Sequence, residues 1–192
     1  MPVRFIIDRA GIVGEDGKTH NGLYDISIFT TIPNYTVIAP TTCNELIEAL
    51  EISKDFDDGP IAIRIPREIS FSLENDEKFQ IGKWKEIKKG EKTLFIATGS
   101  MLKEILSIDE QLKSKKIDGT IVSAASVKPL DEKYILDNLD KYDNIFVMEE
   151  AYEKNSFGSS ILDFINKRGK EKIINKIAIE NGIVPHGKRG EL

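Results

Sequence analysis

Residues 93–124 read TLFIATGSMLKEILSIDEQLKSKKIDGTIVSA. Thr93–Ala97 and Thr120–Ala124 are short, apolar and β-branched, which predicts two buried strands. Met101–Lys115 between them predicts a helix. Strand, helix, strand at this spacing is a βαβ unit with parallel strands. Toward the C-terminus the alternation continues through a helix at Asp131–Leu139, a strand at Asn144–Met148, a helix at Ser159–Lys167 and a strand at Ile173–Ile179. This part reads as a small α/β domain, a mainly parallel sheet covered on both faces.

Working back from residue 93, residues 68–92 are polar, charged and without helical period. They read as a linker with an edge hairpin around Trp84 and mark the expected domain boundary. Upstream, Val3–Asp8, Thr36–Ala39 and Ile61–Ile65 predict strands, and Tyr24–Thr31 a weak helix ended by Pro33. Thr42-Cys43-Asn44-Glu45 is a capping-box pattern, with a helix following to about Lys54. Three strands and two helices can hardly bury a doubly wound sheet by themselves. The first 70 residues therefore read as the later part of a larger domain.

The chain has 192 residues, 40% hydrophobic and 31% charged, the balance of a globular protein. Lys and Arg number 27 and Asp and Glu 32, a net of −5, which disfavours nucleic acid and anionic membrane as partners. No apolar run approaches membrane-spanning length. One cysteine, Cys43, excludes an internal disulfide and a CxxC metal site, and points to a cytoplasmic setting. Cys43 opens a helix with no recognisable base nearby, so it reads as packing.

The chemistry concentrates in Asp8–Gly22, DRAGIVGEDGKTHNG, directly after a predicted strand. Ligands of open α/β sheets bind beyond the carboxyl ends of strands. Arg9 offers a planar fork for phosphate or carboxylate, and His20 can move a proton near neutral pH. The glycines permit close backbone approach, but the spacing matches neither GxGxxG nor a P-loop. A solvated glycine-rich loop is the competing reading of spacing alone. Ile63-Arg64-Ile65-Pro66-Arg67 ends a strand and places arginines at the same sheet edge. Glu149-Glu150 read as ordinary surface charge, and His186 as structural.

Asp8–Gly22 closely resembles the DRAGxVGxDGxTHxG signature of the 1-deoxy-D-xylulose-5-phosphate synthases, thiamine-diphosphate-dependent relatives of transketolase. The likeness continues through Ile32-Pro33-Asn34, Ala39-Pro40, Asn44-Glu45, Asp58-Gly59-Pro60, Ile63–Arg67, Val127–Asp131, Glu149-Glu150 and Phe157-Gly158-Ser159. Transketolase shares the Glu-Asp-Gly-x-Thr-His core but not the preceding Asp-Arg-Ala-Gly.

The resemblance implies the C-terminal half of a pyrimidine-binding domain over 1–70, a linker or edge hairpin over 71–84, and a three-layer transketolase C-terminal-type domain over 85–192. It implies a chain that continues at both ends, and a homodimer. The implied reaction condenses pyruvate with glyceraldehyde 3-phosphate, with loss of carbon dioxide. Carried over by position, Arg9 and Arg67 match the arginines that hold the acceptor phosphate, Asp16 the aspartate beside them, and His20 the catalytic histidine. The family's thiamine diphosphate and magnesium ligands lie upstream, so this stretch is expected neither to bind the cofactor tightly nor to act by itself. Glu68 stands where the family usually has glycine, and Lys154-Asn155-Ser156 replaces a glycine-rich stretch. Two alternatives remain: a subunit of a split transketolase or 2-oxoacid dehydrogenase, and a non-catalytic dimerisation or ligand-sensing module.

Overall fold

The computed structural model describes residues 1–68, 71–73, 77–180 and 182–192. Two sheets organise the chain. The first runs β1 (Arg4–Ala10), β3 (Ile61–Pro66), β2 (Thr36–Ile38), β7 (Ser126–Lys128). β1, β3 and β2 are parallel, and β7 is antiparallel to β2. The second runs β4 (Lys85–Lys88), β6 (Gly119–Ser123), β5 (Thr93–Ala97), β8 (Asn144–Tyr152), β9 (Asn175–Ile179). It is parallel except for the edge strand β4.

The second sheet is the middle of three layers. Successive side chains of a strand point to opposite faces. Leu94, Ile96, Val122 and Val147 face one way and pack with Ile135 of α5 (Glu132–Asn138) and Phe157 and Ile161 of α6 (Phe157–Asn166). Phe95, Ala97, Ile121 and Met148 face the other way and pack with Leu102 and Ile105 of α3 (Met101–Ser107). The larger core extends to Ile26 of α1 (Asp25–Thr31), Val37 of β2 and Trp84. A smaller core beneath α2 (Cys43–Lys54) gathers Ile38, Ala49, Ile61, Ile63 and Phe79.

Helix starts follow the sequence, with one adjustment. Thr42 caps α2, its hydroxyl accepting from the Glu45 N–H at 3.1 Å. The Glu45 carboxylate reaches one residue beyond the cap, to Thr41 N and Oγ1 at 2.8 Å each. It also meets Ser123 Oγ at 3.0 Å and Lys85 Nζ at 2.9 Å, which joins the two halves. The α6 start is capped from a distance: Ser156 Oγ donates to Glu149, and Phe157 and Gly158 N–H each donate to it at 2.9 Å. Burial pushes the Glu149 carboxyl above the ordinary carboxylate range, against these bonds and the charge of Arg64.

Three sequence expectations are corrected. No hairpin forms around Trp84: β4 pairs with β6, and the described part of 71–84 contains no strand. Residues 74–76 of that stretch lie outside the described residues. Trp84 is buried instead, its ring N–H donating to Ser126 O at 2.9 Å. The helix expected over Met101–Lys115 breaks at Ile108 into α3 and α4 (Asp109–Ser114). Ser107 Oγ turns back to Glu104 O, and Asp109 is drawn to Lys88 of β4 at 2.7 Å. Finally, β7 belongs to the first sheet although it lies in the second half of the sequence, so the halves share a sheet.

Candidate functional site

The site begins where β1 leaves its partner. Ile7 pairs with Arg64 and Ala10 with Pro66, so β1 spends three steps where β3 spends two. The extra residue is a bulge, and Arg9 sits in it with φ 56°. The left-handed region costs a non-glycine residue about 1–2 kcal/mol. The Arg9 side chain is half exposed there.

The loop that follows is closed at its neck. Gly11 and Gly22 exchange backbone hydrogen bonds at 2.8 and 2.9 Å. A Cβ on Gly22 would lie 2.4 Å from the Arg9 carbonyl, so only glycine fits there. Val13 N–H donates to Asn21 Oδ1 at 2.9 Å across the loop. A 3-10 turn at Gly14–Asp16 brings Asp16 back toward the sheet.

Asp16 then ties two arginines. Arg9 Nη1 meets Asp16 Oδ2 at 2.7 Å, and Arg67 Nη1 meets Asp16 Oδ1. Arg67 follows Pro66, the last residue of β3, and so stands at the same edge. The hydrogen bond from Arg67, with the charges of Arg67, Arg9 and His20, holds the Asp16 carboxyl below the usual carboxylate range against slight desolvation. The side chains of Arg9 and Arg67 remain 45% and 50% exposed. Each guanidinium carries five N–H donors, and beyond Asp16 neither has another partner among the described residues. The pair therefore keeps N–H donors of the kind that suit phosphate oxygens. His20 is exposed on the same loop, its Nδ1 3.2 Å from Thr19 Oγ1.

Other sequence candidates lie elsewhere. Arg64 is buried and its guanidinium is engaged within the chain: its Nε donates to Asp25 Oδ2 at 2.5 Å and its Nη2 to Gly22 O and Glu150 O at 3.3 Å. Glu149 and Glu150 are buried, contrary to the surface reading. Glu150 accepts from Ser100 Oγ at 2.6 Å and Arg189 Nη2 at 2.9 Å. His186 is exposed beside Gly17, and Cys43 is half-buried. Two residues beside the site were not singled out for it. Glu68 pairs with Arg189 at 3.1 Å and with Lys103 at 2.9 Å. Its only sequence signal was its replacement of glycine in the resemblance; Arg189 had none. A recess of about 560 Å³ beside Tyr24, Tyr152 and Ile183 shares no residue with the arginine cluster.

Among the described residues no three His, Cys, Asp or Glu converge as metal ligands, so the donor set does not fit a magnesium ion. The buried carboxylates are engaged within the chain: Glu45 by Lys85, Asp131 by Trp84 N–H and Tyr134 N–H, Glu149 by the α6 start, and Glu150 by Arg189.

Residues 1–70 match the family model "Transketolase, pyrimidine binding domain", and residues 82–192 match "Transketolase, C-terminal domain". A 1-deoxy-D-xylulose-5-phosphate synthase of Fusobacterium nucleatum is 62% identical over the whole chain, which covers 32% of that protein. The Thermotoga maritima synthase is 38% identical, again over the whole chain and 31% of the relative. The chain thus spans about a third of the length of these curated relatives. Among solved structures, a split-gene transketolase described as an inactive β4 tetramer matches with TM-score 0.78 at 22% identity, over 94% of this chain and 58% of that one. Transketolase from Campylobacter jejuni matches with TM-score 0.76 at 23% identity, over 98% and 28%. These two speak for the fold. With both domain models matched in order along its length, the chain belongs to the transketolase family.

Proposed function

We propose that this chain is the acceptor-phosphate portion of a 1-deoxy-D-xylulose-5-phosphate synthase. The whole enzyme condenses pyruvate with glyceraldehyde 3-phosphate, releasing carbon dioxide and forming 1-deoxy-D-xylulose 5-phosphate. The observation that carries this reading is the pair Arg9 and Arg67, cross-tied by Asp16 at one sheet edge. The 62% identity to a named synthase supports the reaction class.

The division of labour follows from charge. The two guanidinium groups hold the acceptor phosphate through their outward N–H donors. Asp16 is anionic and repels phosphate, so its work is to align the arginines. His20, on the same loop, moves a proton at a carbonyl or hydroxyl oxygen of the substrate. The whole enzyme takes its carbanion chemistry from thiamine diphosphate with magnesium; the described donors offer no cluster that fits the metal. A cytoplasmic homodimer belongs to the same reading. No described helix is long and apolar enough to cross a membrane.

The test is carbon dioxide release from pyruvate by the complete gene product, with thiamine diphosphate and magnesium, with and without glyceraldehyde 3-phosphate. Release stimulated by the acceptor, with turnover lowered in His20→Ala, is expected. Release indifferent to the acceptor would sink the synthase reading, and unchanged turnover in His20→Ala would remove the proton role.

A further inference from the structure

We propose that Arg189 and Glu68 form a brace that sets the spacing of Arg9 and Arg67, and so act as positioning residues for a phosphorylated acceptor. This rests on the functional reading above and adds residues to it.

Arg189 is a hub for three carboxylates from three parts of the fold. Its Nη2 meets Glu150 Oε1 of β8 at 2.9 Å. Its Nη1 meets Glu68 Oε1 at 3.1 Å and Glu104 Oε1 of α3 at 3.6 Å. Lys103 Nζ of α3 reaches the same Glu68 oxygen at 2.9 Å. Three of the five side chains are well covered, Arg189 at 24% exposed, Glu68 at 16% and Glu150 at 8%, while Lys103 and Glu104 lie at the rim, 39% and 47% exposed. Partly desolvated pairs are screened less than surface pairs and hold geometry better.

Both arms of the phosphate clamp connect to this hub. Glu68 is the next residue after Arg67, so its tether to Arg189 and Lys103 limits where the Arg67 backbone can go. The Asp16 arm is gripped through the loop. A Cβ on Gly14 would lie 2.8 Å from both Arg189 N and Gly187 O, and one on Gly11 would lie 2.3 Å from Glu150 Oε2. The backbone of 187–189 thus presses on Gly14, two residues before Asp16, while Glu150 sits against Gly11. One guanidinium links the tail that presses on the loop to the acid beneath it and to the acid beside Arg67.

Charge decides between a brace and a third phosphate ligand. Glu68, Glu104 and Glu150 face Arg189 and Lys103, three negative charges against two positive. A cluster with net charge −1 repels phosphate, so it acts through geometry. This yields a prediction opposite in sign to a simple field effect. Removing the Glu68 charge should tighten phosphate binding if only the field mattered, and weaken it if Glu68 holds Arg67 in place.

The experiment measures Michaelis constants in the complete gene product for D-glyceraldehyde 3-phosphate, unphosphorylated D-glyceraldehyde and pyruvate. Glu68→Gln and Arg189→Gln should each raise the constant for the phosphorylated acceptor by roughly 3- to 10-fold, the size of a partly buried ion pair. The other two constants should stay within about twofold, since neither substrate places a phosphate between the arginines. A Michaelis constant does not depend on how much enzyme is folded, so partial misfolding does not mimic this split. If Arg189→Gln yields no folded enzyme, Arg189→Lys keeps the charge but lacks the fork that spans several carboxylates, and should show a smaller rise of the same selectivity. A constant for the phosphorylated acceptor that is unchanged or lowered in Glu68→Gln would overturn the brace. Arg67→Ala in the same assay separates the failures: if it raises that constant and Glu68→Gln does not, only the brace falls. If neither does, the phosphate clamp falls with it.

Discussion

In the proposed site Asp16 is the carboxylate that aligns two guanidinium groups. It is joined to Arg9 and Arg67 through different oxygens, which leaves each guanidinium further N–H donors. Arg67 chiefly holds its titration below the ordinary range. A carboxyl with a depressed folded pKa stabilises the fold above its unfolded value, about 3.9. That contribution is lost as pH falls through the lower folded value. A carbon-13 titration of the aspartate carboxyls should place Asp16 below about 3.9 and move it upward in Arg67→Ala; an ordinary value before substitution would contradict the tie. That Arg9, Asp16 and Arg67 meet was legible, because two of them lie on one short loop and the third follows a strand-ending proline. Arg64 was not. Its fate depends on Asp25, 39 residues away in sequence, and a guanidinium in a strand looks the same whether it ends in solvent or against a buried acid. Glu149 and Glu150 were misread for the same reason, since their partners are a helix start and Arg189.

At the scale of elements, the loop over Asp8–Gly22 is held by its neck rather than by a core of its own. Gly22→Ala would drive a methyl into the Arg9 carbonyl. It should cost on the order of 1–3 kcal/mol, the usual penalty of overpacking. Gly190→Ala, where an added Cβ meets open space, should change stability by less than about 0.5 kcal/mol. Denaturant unfolding of the two variants checks this, and equal effects would contradict the neck. The regular strands and α5 and α6 were readable from alternation and length. β7 was not, because its partner β2 lies far upstream in the other half of the sequence. The break at Ile108 was hidden because it depends on Lys88 drawing Asp109 toward β4. The supposed hairpin at Trp84 failed because β4 finds its partner 30-odd residues downstream in β6.

At the scale of the molecule, the two sheets are stitched together. β7 completes the first sheet, Lys85 meets Glu45, and Trp84 lies in the core that α1, β2, α5 and α6 share. The clamp sits at one edge of this joint, with Arg9 and Arg67 from the first sheet backed by Glu150 from the second. In the proposed clamp a phosphate would have its position set by both halves. The most direct test is Arg67→Ala in the complete gene product, read as two Michaelis constants. The constant for glyceraldehyde 3-phosphate should rise roughly 10- to 100-fold, the loss of charged hydrogen bonds to one anion, while that for pyruvate stays within about twofold. Equal change in both, or none in the first, would contradict a phosphate clamp at this edge.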